Sequence, residues 1–350
     1  MMVHYAINGS FLFGRRTGIQ RYAEEIVKAL DEVELNTPVV LVVSKKVQAV
    51  PKLKNIHVVH YGNLRGILWE QVCFAFYLII FRAVAVNLCN VTPLLKPDGI
   101  SVIHDVGYKA NPQFFTNFYG RLSRVWHCLQ YRFICRFSRR ILTVSEFSRN
   151  EIVKYCQENA SRIAIVPNGW QHFETIEPAD AVMDKYPKLN KGEFFFTLGS
   201  VAKNKNFRWI CEVARRNPQY HFAVSGSLNP KRLGERLAKL DNIHYLGYVK
   251  DEEAKTLMKN CKAFLFPSFY EGFGIPPLEA LSCGARVIVS DAASLPEVCG
   301  RSAYYINPDD YNVDLSELLS KSVAPAEEAL KRYSWKASVE VLKGVLNESQ

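Results

Sequence analysis

Pro267-Ser-Phe-Tyr-Glu271-Gly-Phe-Gly-Ile-Pro-Pro-Leu-Glu279-Ala-Leu-Ser-Cys-Gly284 is the stretch whose reading decides the fold. It follows the apolar, β-rich run Ala263-Phe-Leu-Phe266 and closes in small helix-forming residues, which predicts strand, glycine-bearing turn and helix. Pro276 and Pro277 suit the first helical turn, where an amide N–H would lack a partner in any case. The amides of Gly272, Phe273, Gly274 and Ile275 then stand at a helix N-terminus, whose dipole favours an anionic phosphate. Glu271 and Glu279 flank that turn. Carboxylates are poor phosphate ligands but good acceptors for sugar hydroxyls, so the combination suits a ligand with both a diphosphate and a polyol. The alternative for either glutamate taken alone is bland: Glu279 complements the helix dipole and Glu271 is a solvated loop acid.

At 350 residues the chain is long enough for two domains, each with its own core. Hydrophobic content of 48% and charged content of 22% are those of a globular protein and exclude a disordered or fibrous chain. The nine cysteines are scattered, with no C-x-x-C pair, no clustered Cys/His ligand spacing and no signal peptide ahead of them. They read as reduced core thiols of a cytoplasmic protein, and no metal is expected. A net charge of +10 fits nucleic acid, anionic lipid or phosphorylated substrates equally well. No zinc finger, RNP-type or basic-zipper pattern accompanies the charge, so nucleic acid is not expected as a partner.

In chain order, Val3-His-Tyr-Ala-Ile7 predicts a strand, and Thr17-Gly-Ile-Gln20 has the form of a capping box opening a helix with Ile19, Tyr22, Ile26 and Leu30 on one stripe. Val39–Val43 and Ile56–Tyr61 are β-branched runs consistent with buried parallel strands. Trp69-Glu-Gln71 leads into the run Val72–Phe81, apolar all round and cut short by Arg82. It falls below the roughly 20 residues that span a bilayer, so it predicts a buried helix. Ile100-Ser-Val-Ile-His104-Asp105 is a strand whose carboxyl end delivers a His-Asp pair, the place where open α/β sheets bind ligands.

Between Phe118 and Arg140 lie Arg121, Arg124, Arg132, Arg136, Arg139 and Arg140, with aromatics interleaved and no acid. Such a helix suits an anionic membrane surface or a lipid-diphosphate acceptor, and equally a simply solvated basic face. Arg140–Ser148 predicts a strand-to-helix junction with Ser145 as N-cap. Residues 171–190 are irregular, with Pro178 and Pro187, and read as a connection. Glu193–Gly199 opens a second alternation of strand and helix, continued by Tyr220–Gly226, Ile243–Val249 and Ala285–Ser290. Leu295-Pro-Glu297-Val-Cys-Gly300 reads as a structural turn. The fold class expected is α/β with two Rossmann-like, doubly wound domains: residues 1–170 joined by a returning helix 336–350, and residues 191–335.

The string S-x-x-E-G-F-G-x-P-x-L-E-A-x-x-x-G, from Ser268 to Gly284, resembles the signature of family 4 retaining glycosyltransferases of the GT-B fold. The likeness continues block by block along nearly the whole chain: G-I-x-R-Y from Gly18, the W-E-Q and His104-Asp105 blocks common in bacterial polysaccharide enzymes, T-V-S-x-x-S from Thr143, Asn168-Gly169, and Leu295-Pro-Glu-Val-x-Gly300. Gly199-Ser200-Val-Ala-Lys203-Asn-Lys205-Asn206 resembles the family's diphosphate loop, with Lys205 on the family lysine. Lys203 and Asn204 stand where proline and arginine are usual, which displaces one cation along the loop.

The resemblance implies transfer of a hexosyl or deoxyhexosyl group from a nucleotide-diphosphate sugar, such as GDP-mannose or a UDP or dTDP sugar, to a lipid-linked or oligosaccharide acceptor in O-antigen or capsule assembly. It implies a cleft between the domains, a nucleotide sugar as co-substrate and no resident cofactor. Catalytic roles fall to Glu271, His104 and Lys205. Donor contacts fall to Gly18, Ser200, Lys203, Asn206, Gly226, Gly272, Phe273, Gly274, Ile275 and Glu279. Arg121, Arg124, Arg132 and Arg136 face the acceptor or an anionic membrane, on the inner side of which the enzyme would work. A sugar-nucleotide epimerase of the same architecture and a non-catalytic nucleotide-sugar-binding protein are the alternatives.

Overall fold

Short β-branched strands alternating with amphipathic helices can bury both faces of a sheet only if the strands run parallel and the helices cover them. The computed structural model has that architecture twice, and it describes residues 4–14, 16–199, 202–226 and 240–348. One unit holds the chain up to Gly169 together with Trp335 onward; the other is Trp170–Ser334.

The first unit is built on β1 (Tyr5–Asn8), β2 (Val39–Val43), β3 (His57–His60), β4 (Val84–Asn87), β5 (Ile100–Val102), β6 (Arg140–Thr143) and β7 (Ile163–Ile165). All pairs are parallel and the order is β3-β2-β1-β4-β5-β6-β7, so the winding reverses between β1 and β4. β2 is buried as expected, whereas β3 is the sheet edge and turns His57 and His60 to solvent. Helix Gly18–Asp31 starts at the Thr17–Gln20 capping box and buries Tyr22, Ile26 and Leu30. The last helix, Trp335–Glu348, returns to this unit: Trp335 meets Tyr22 edge-on at 6.1 Å, the Tyr5 hydroxyl donates to the Leu346 carbonyl at 2.6 Å, and the Ser338 hydroxyl donates to the Pro167 carbonyl at 2.7 Å.

The run expected as a helix buried all round is buried on one side only. Helix Gly66–Ile80, with a π-helical stretch over Trp69–Phe74, packs Trp69, Phe74, Tyr77 and Leu78 against Ala6, Val42 and Ala85. Its other side leaves Leu68 65% and Ile80 61% exposed. Composition cannot distinguish the two cases, because which side packs depends on where the sheet lies.

The second unit repeats the plan with β8 (Phe194–Leu198), β9 (His221–Ser225), β10 (Ile243–Gly247), β11 (Ala263–Phe266), β12 (Val287–Ser290) and β13 (Tyr304–Ile306). The order is β10-β9-β8-β11-β12-β13, again all parallel, with the winding reversing between β8 and β11. Helix Phe207–Arg216 closes one face of this sheet by burying Trp209, Ile210 and Val213.

The stretch 171–190, expected as a connection, is built into this unit. Phe173, Val182 and Leu189 are buried, and the Lys255 ammonium donates to the carbonyls of Phe173, Glu174 and Ile176 at 2.8, 2.9 and 2.7 Å. Leu295–Cys299, expected as a turn, is a short helix.

Candidate functional site

The loops that follow β8 and β11 leave neighbouring strands at the reversal of winding, where a doubly wound sheet opens a crevice at its carboxyl edge. They carry the two sequence blocks of interest. After β8, a single turn Lys203–Lys205 ends in Asn206, which takes a left-handed conformation (φ 50°) and starts helix Phe207–Arg216. The two loops are stitched together: the Phe269 amide donates to the Asn204 carbonyl at 2.7 Å, and the Asn204 side-chain amide donates to the Tyr270 carbonyl at 3.2 Å.

This stitching delivers the Lys205 ammonium to Glu271, 2.7 and 3.0 Å from its two carboxylate oxygens. Phe266 lies under the same ammonium, 5.0 Å from ring centroid to nitrogen. A small pocket at the carboxyl ends of β8, β9 and β11 is lined by Leu198, Gly199, Lys205, Ser225, Pro267 and Ser268. Gly226 continues from it, its amide donating to the Gly247 carbonyl at 2.7 Å.

The turn after Glu271 requires glycine at one position above all. Gly274 has φ 96° and immediately precedes helix Ile275–Ser282, and a Cβ there would fall 2.7 Å from the Leu295 methyl. The Ser294 hydroxyl lies 3.0 Å from the Glu271 carbonyl and 2.9 Å from the Phe273 carbonyl, so one side chain holds both ends of the turn. Phe273 sends its ring into the core against Tyr333, leaving only its backbone for a ligand.

Glu279, one turn into the helix, is buried and paired. His172 Nε2 stands 2.9 Å from Glu279 Oε1, with side-chain exposures of 3% and 8%. His172 was not among the residues singled out in the sequence. It lies in the irregular stretch after Gly169, 107 positions from its partner, and no spacing rule links the two.

The other expected donor contacts of this unit divide. Asn206 is buried and its carboxamide donates to the Pro308 carbonyl at 2.8 Å, so its side chain shapes the loop. Lys203 is exposed at the loop rim. Ser200 lies outside the described residues.

In the first unit the reversal of winding brings together Asn8 at the end of β1 and Asn87 at the end of β4, side chain to side chain at 3.3 Å. Nearby, Glu70 of the W-E-Q block is buried, with Ser10 Oγ 3.1 Å and Gln71 Nε2 2.9 Å from its oxygens. Burial pushes the Glu70 carboxyl up, against the hydrogen bonds from Gln71, Ser10 and Asn8 that pull it down.

His104 sits two residues past β5 and is only 6% exposed. Its amide donates to Asn90 Oδ1 at 2.6 Å, its carbonyl accepts from the Ser148 hydroxyl at 2.8 Å, and its ring meets Tyr22 edge-on at 4.7 Å. Nε2 lies 2.8 Å from the Leu88 carbonyl, which can only accept, so the proton resides on Nε2 and Nδ1 keeps a lone pair. Burial lowers the imidazole to about 4, against the opposing pull of the Leu88 carbonyl, which keeps the ring neutral. Gly18 is the first residue of its helix, and among the described residues nothing would lie within 4 Å of a Cβ placed there.

Arg121, Arg124, Arg132 and Arg136 all lie exposed on helix Phe118–Phe137. Among the described residues no three His, Cys, Asp or Glu side chains are gathered as a metal site, and no helix is long and apolar enough to cross a membrane.

Residues 179–334 match the family model described as glycosyl transferases group 1. Over 220 residues the chain is 32% identical to O-antigen chain mannosyltransferase B of Escherichia coli, covering 57% of this chain and 58% of that one. It is 28% identical to the Escherichia coli serotype-specific mannosyltransferase WbdA, of whose length it spans only 24%. Against an O-antigen chain mannosyltransferase of Salmonella typhimurium the match is weaker, 24%, but runs over 94% of this chain and 93% of that one. Among solved structures, sucrose-phosphate synthase of Thermosynechococcus elongatus superposes with a TM-score of 0.75 at 13% identity, covering 99% and 98% of the two chains. An Anabaena protein in complex with UDP-glucose superposes with a TM-score of 0.72 at 14% identity, covering 99% of each chain. The two sheets and these neighbours establish the fold as GT-B, and the segment that matches the group 1 glycosyl transferase model, residues 179–334, is the one that holds Lys205, Glu271 and Glu279.

Proposed function

We propose that this chain is a family 4 retaining glycosyltransferase that moves a hexosyl or deoxyhexosyl group, with mannose the first candidate, from a nucleotide-diphosphate sugar to a lipid-linked saccharide acceptor in O-antigen or capsule assembly. The observation that carries the reading is the Lys205–Glu271 pair at the reversal of the second sheet, beside a glycine turn that ends at a helix N-terminus. One ammonium and a set of amides suit the diphosphate leaving group, whose developing charge is what such a transfer must stabilise. Glu271 takes sugar hydroxyls and lies beside the positive charge that builds on the sugar ring, while Glu279 takes the ribose. The mannosyltransferase relatives support the sugar and the pathway class.

His104 serves this reaction as a neutral ring whose Nδ1 accepts from a sugar hydroxyl. That role fits better than contact with a phosphate oxygen, because its available nitrogen has a lone pair and no proton. The nucleotide sugar is a co-substrate, and the chemistry named here calls on no resident cofactor or metal. The working place is the inner face of the cytoplasmic membrane, where a lipid-linked acceptor is presented.

The test is an assay of purified protein with GDP-mannose and a panel of UDP and dTDP sugars, with and without a lipid-linked saccharide. Donor consumed only when acceptor is present supports transfer, and the anomeric configuration of the product reads retention. Conversion of a donor to its isomer without acceptor overturns the reading in favour of an epimerase. Binding of every donor without turnover overturns it in favour of a binding protein.

A further inference from the structure

We infer that Cys135 and Cys156 form a thiol-modification site in the first unit, where a small-molecule disulfide oxidises the two side chains to a bridge. The nine cysteines show no spacing that would pair them, yet the fold brings these two together from helices Phe118–Phe137 and Glu146–Cys156. Both pack on the apolar cluster of Ile103, Ile134, Ile141 and Ile152, and their thiols hydrogen-bond to each other. Both are unbridged and half-buried, so a reagent can reach them from one side.

The surroundings decide which sulphur attacks. The Cys135 S–H donates to the Cys156 sulphur, which draws the Cys156 thiol below the usual thiol range, against burial, and holds the Cys135 thiol above it. Cys156 is the last residue of its helix, where the dipole opposes a thiolate. Lys109 offsets that end: its ammonium donates to the Tyr155 carbonyl at 2.6 Å, and its charge also favours the Cys156 thiolate. Glu158, the acid acting against the thiolate, is paired with Arg162 at 2.9 Å, and the same guanidinium donates to the Cys135 carbonyl at 2.9 Å. In the second unit, by contrast, burial pushes the Cys211, Cys261 and Cys299 thiols up to about 12, which leaves them protonated at neutral pH.

Exchange then runs in two steps. The Cys156 thiolate attacks one sulphur of the reagent, forms a mixed disulfide and expels one thiolate. Cys135 gives its proton to solvent, attacks the Cys156 sulphur and expels the second thiolate. Two protein thiols are oxidised to one disulfide, and the reagent is reduced to two thiols. Cys128, two turns ahead of Cys135 on the same helix, is the rival partner, but burial raises its thiol and its sulphur lies 4.0 Å from the Tyr108 carbonyl, which it meets as a donor. The bridge ties the end of helix Phe118–Phe137 to the end of helix Glu146–Cys156, and it involves none of the residues assigned to sugar transfer.

The experiment treats the full, reduced and folded chain with glutathione disulfide at neutral pH, alkylates the remaining thiols and maps the digest by mass spectrometry. Expected in the wild type are the loss of two of the nine thiols and a linked peptide pair joining Cys135 to Cys156, both reversed by dithiothreitol. Cys135→Ser should stop at a glutathione adduct on Cys156, and Cys156→Ser should slow thiol loss about tenfold. Cys128→Ser should still form the bridge. Circular dichroism checks that the variants fold, and because the linked peptide is read in the wild type the result does not depend on them. A folded wild type that keeps all its thiols overturns the inference. So does a bridge from Cys156 to Cys128, or thiol loss in folded Cys156→Ser at the wild-type rate.

Discussion

Lys205 and Glu271 lie 66 positions apart in the chain and form a two-contact ion pair, 2.7 and 3.0 Å, where the winding of the second sheet reverses between β8 and β11. The carboxylate side chain is 12% exposed and the ammonium side chain 27%. In the proposed reading, the cation that takes the diphosphate is therefore already partly neutralised by the acid that takes the sugar. The two roles are coupled.

That coupling predicts opposite effects of one substitution. Glu271→Gln frees the Lys205 charge, so a free nucleoside diphosphate should bind several-fold more tightly, while turnover falls by about two to three orders of magnitude, the loss typical when a group stabilising transition-state charge is removed. Calorimetric titration and initial rates measure the two. Lys205→Ala should lose diphosphate affinity; if its affinity is unchanged, the phosphate role passes to Lys203.

His172 holds one oxygen of the Glu279 carboxylate, the group that takes the ribose in the proposed reading. His172→Ala leaves a buried carboxylate short of a donor, which costs about 1–3 kcal/mol and lets the side chain rotate. The expected result is a rise of about tenfold in donor KM with a smaller change in kcat, restored in part by His172→Gln, which keeps an N–H donor. A donor lacking the ribose hydroxyls should be insensitive to the substitution. Equal losses for both donors would assign His172 a purely structural role.

Two glycines separate conformational need from ligand access. Gly274→Ala forces an L residue to φ 96° and 2.7 Å from the Leu295 methyl, so a destabilisation of about 1–3 kcal/mol is expected in urea unfolding. Gly18→Ala meets no described neighbour and sits at an ordinary helical position, so stability should hold or rise slightly. Its turnover should nevertheless fall, because the added methyl occupies space proposed for substrate. Wild-type rates in Gly18→Ala would remove that residue from the site.

The buried imidazole of His104 sets a pH dependence. Its pKa is about 4 when folded against 6.5 for the free side chain, so between these values the unfolded chain binds the extra proton and stability falls as the solution is acidified. Above 6.5 the contribution is constant, and below about 4 the loss is complete, at about 3 kcal/mol. His127, also lowered to about 4 by burial, adds in the same direction. His104→Gln should show a shallower fall in unfolding free energy between pH 6.5 and 4 than the wild type, by about one proton. Parallel curves would mean that His104 is not buried neutral.

The local parts of the candidate site are legible in the sequence. A proline pair after a glycine turn fixes where helix Ile275–Ser282 starts, and Thr17 with Gln20 fixes where helix Gly18–Asp31 starts, since capping and proline geometry act over a few residues. The same locality hid other parts. The neighbours of Asn206 in the chain make it a candidate ligand contact, and they do not show that its carboxamide donates to the Pro308 carbonyl, 102 positions away. His172 looked like loop, and its stretch like a connection, until Lys255 and Glu279 are seen to bind it into the second unit.

The amino-acid sequence by itself determined the alternation of strand and helix, the two-domain plan and the chemistry offered at each strand end. These follow from side-chain periodicity and from short-range backbone geometry, which need no tertiary context. Only the tertiary structure decided which side of helix Gly66–Ile80 faces the sheet, that the tautomer of His104 is set by the Leu88 carbonyl, and that Glu271 and Glu279 each arrive already paired. Those depend on strand order, and the order in a parallel sheet is chosen by how whole elements bury their faces, a property of the assembled unit that no stretch of residues carries alone.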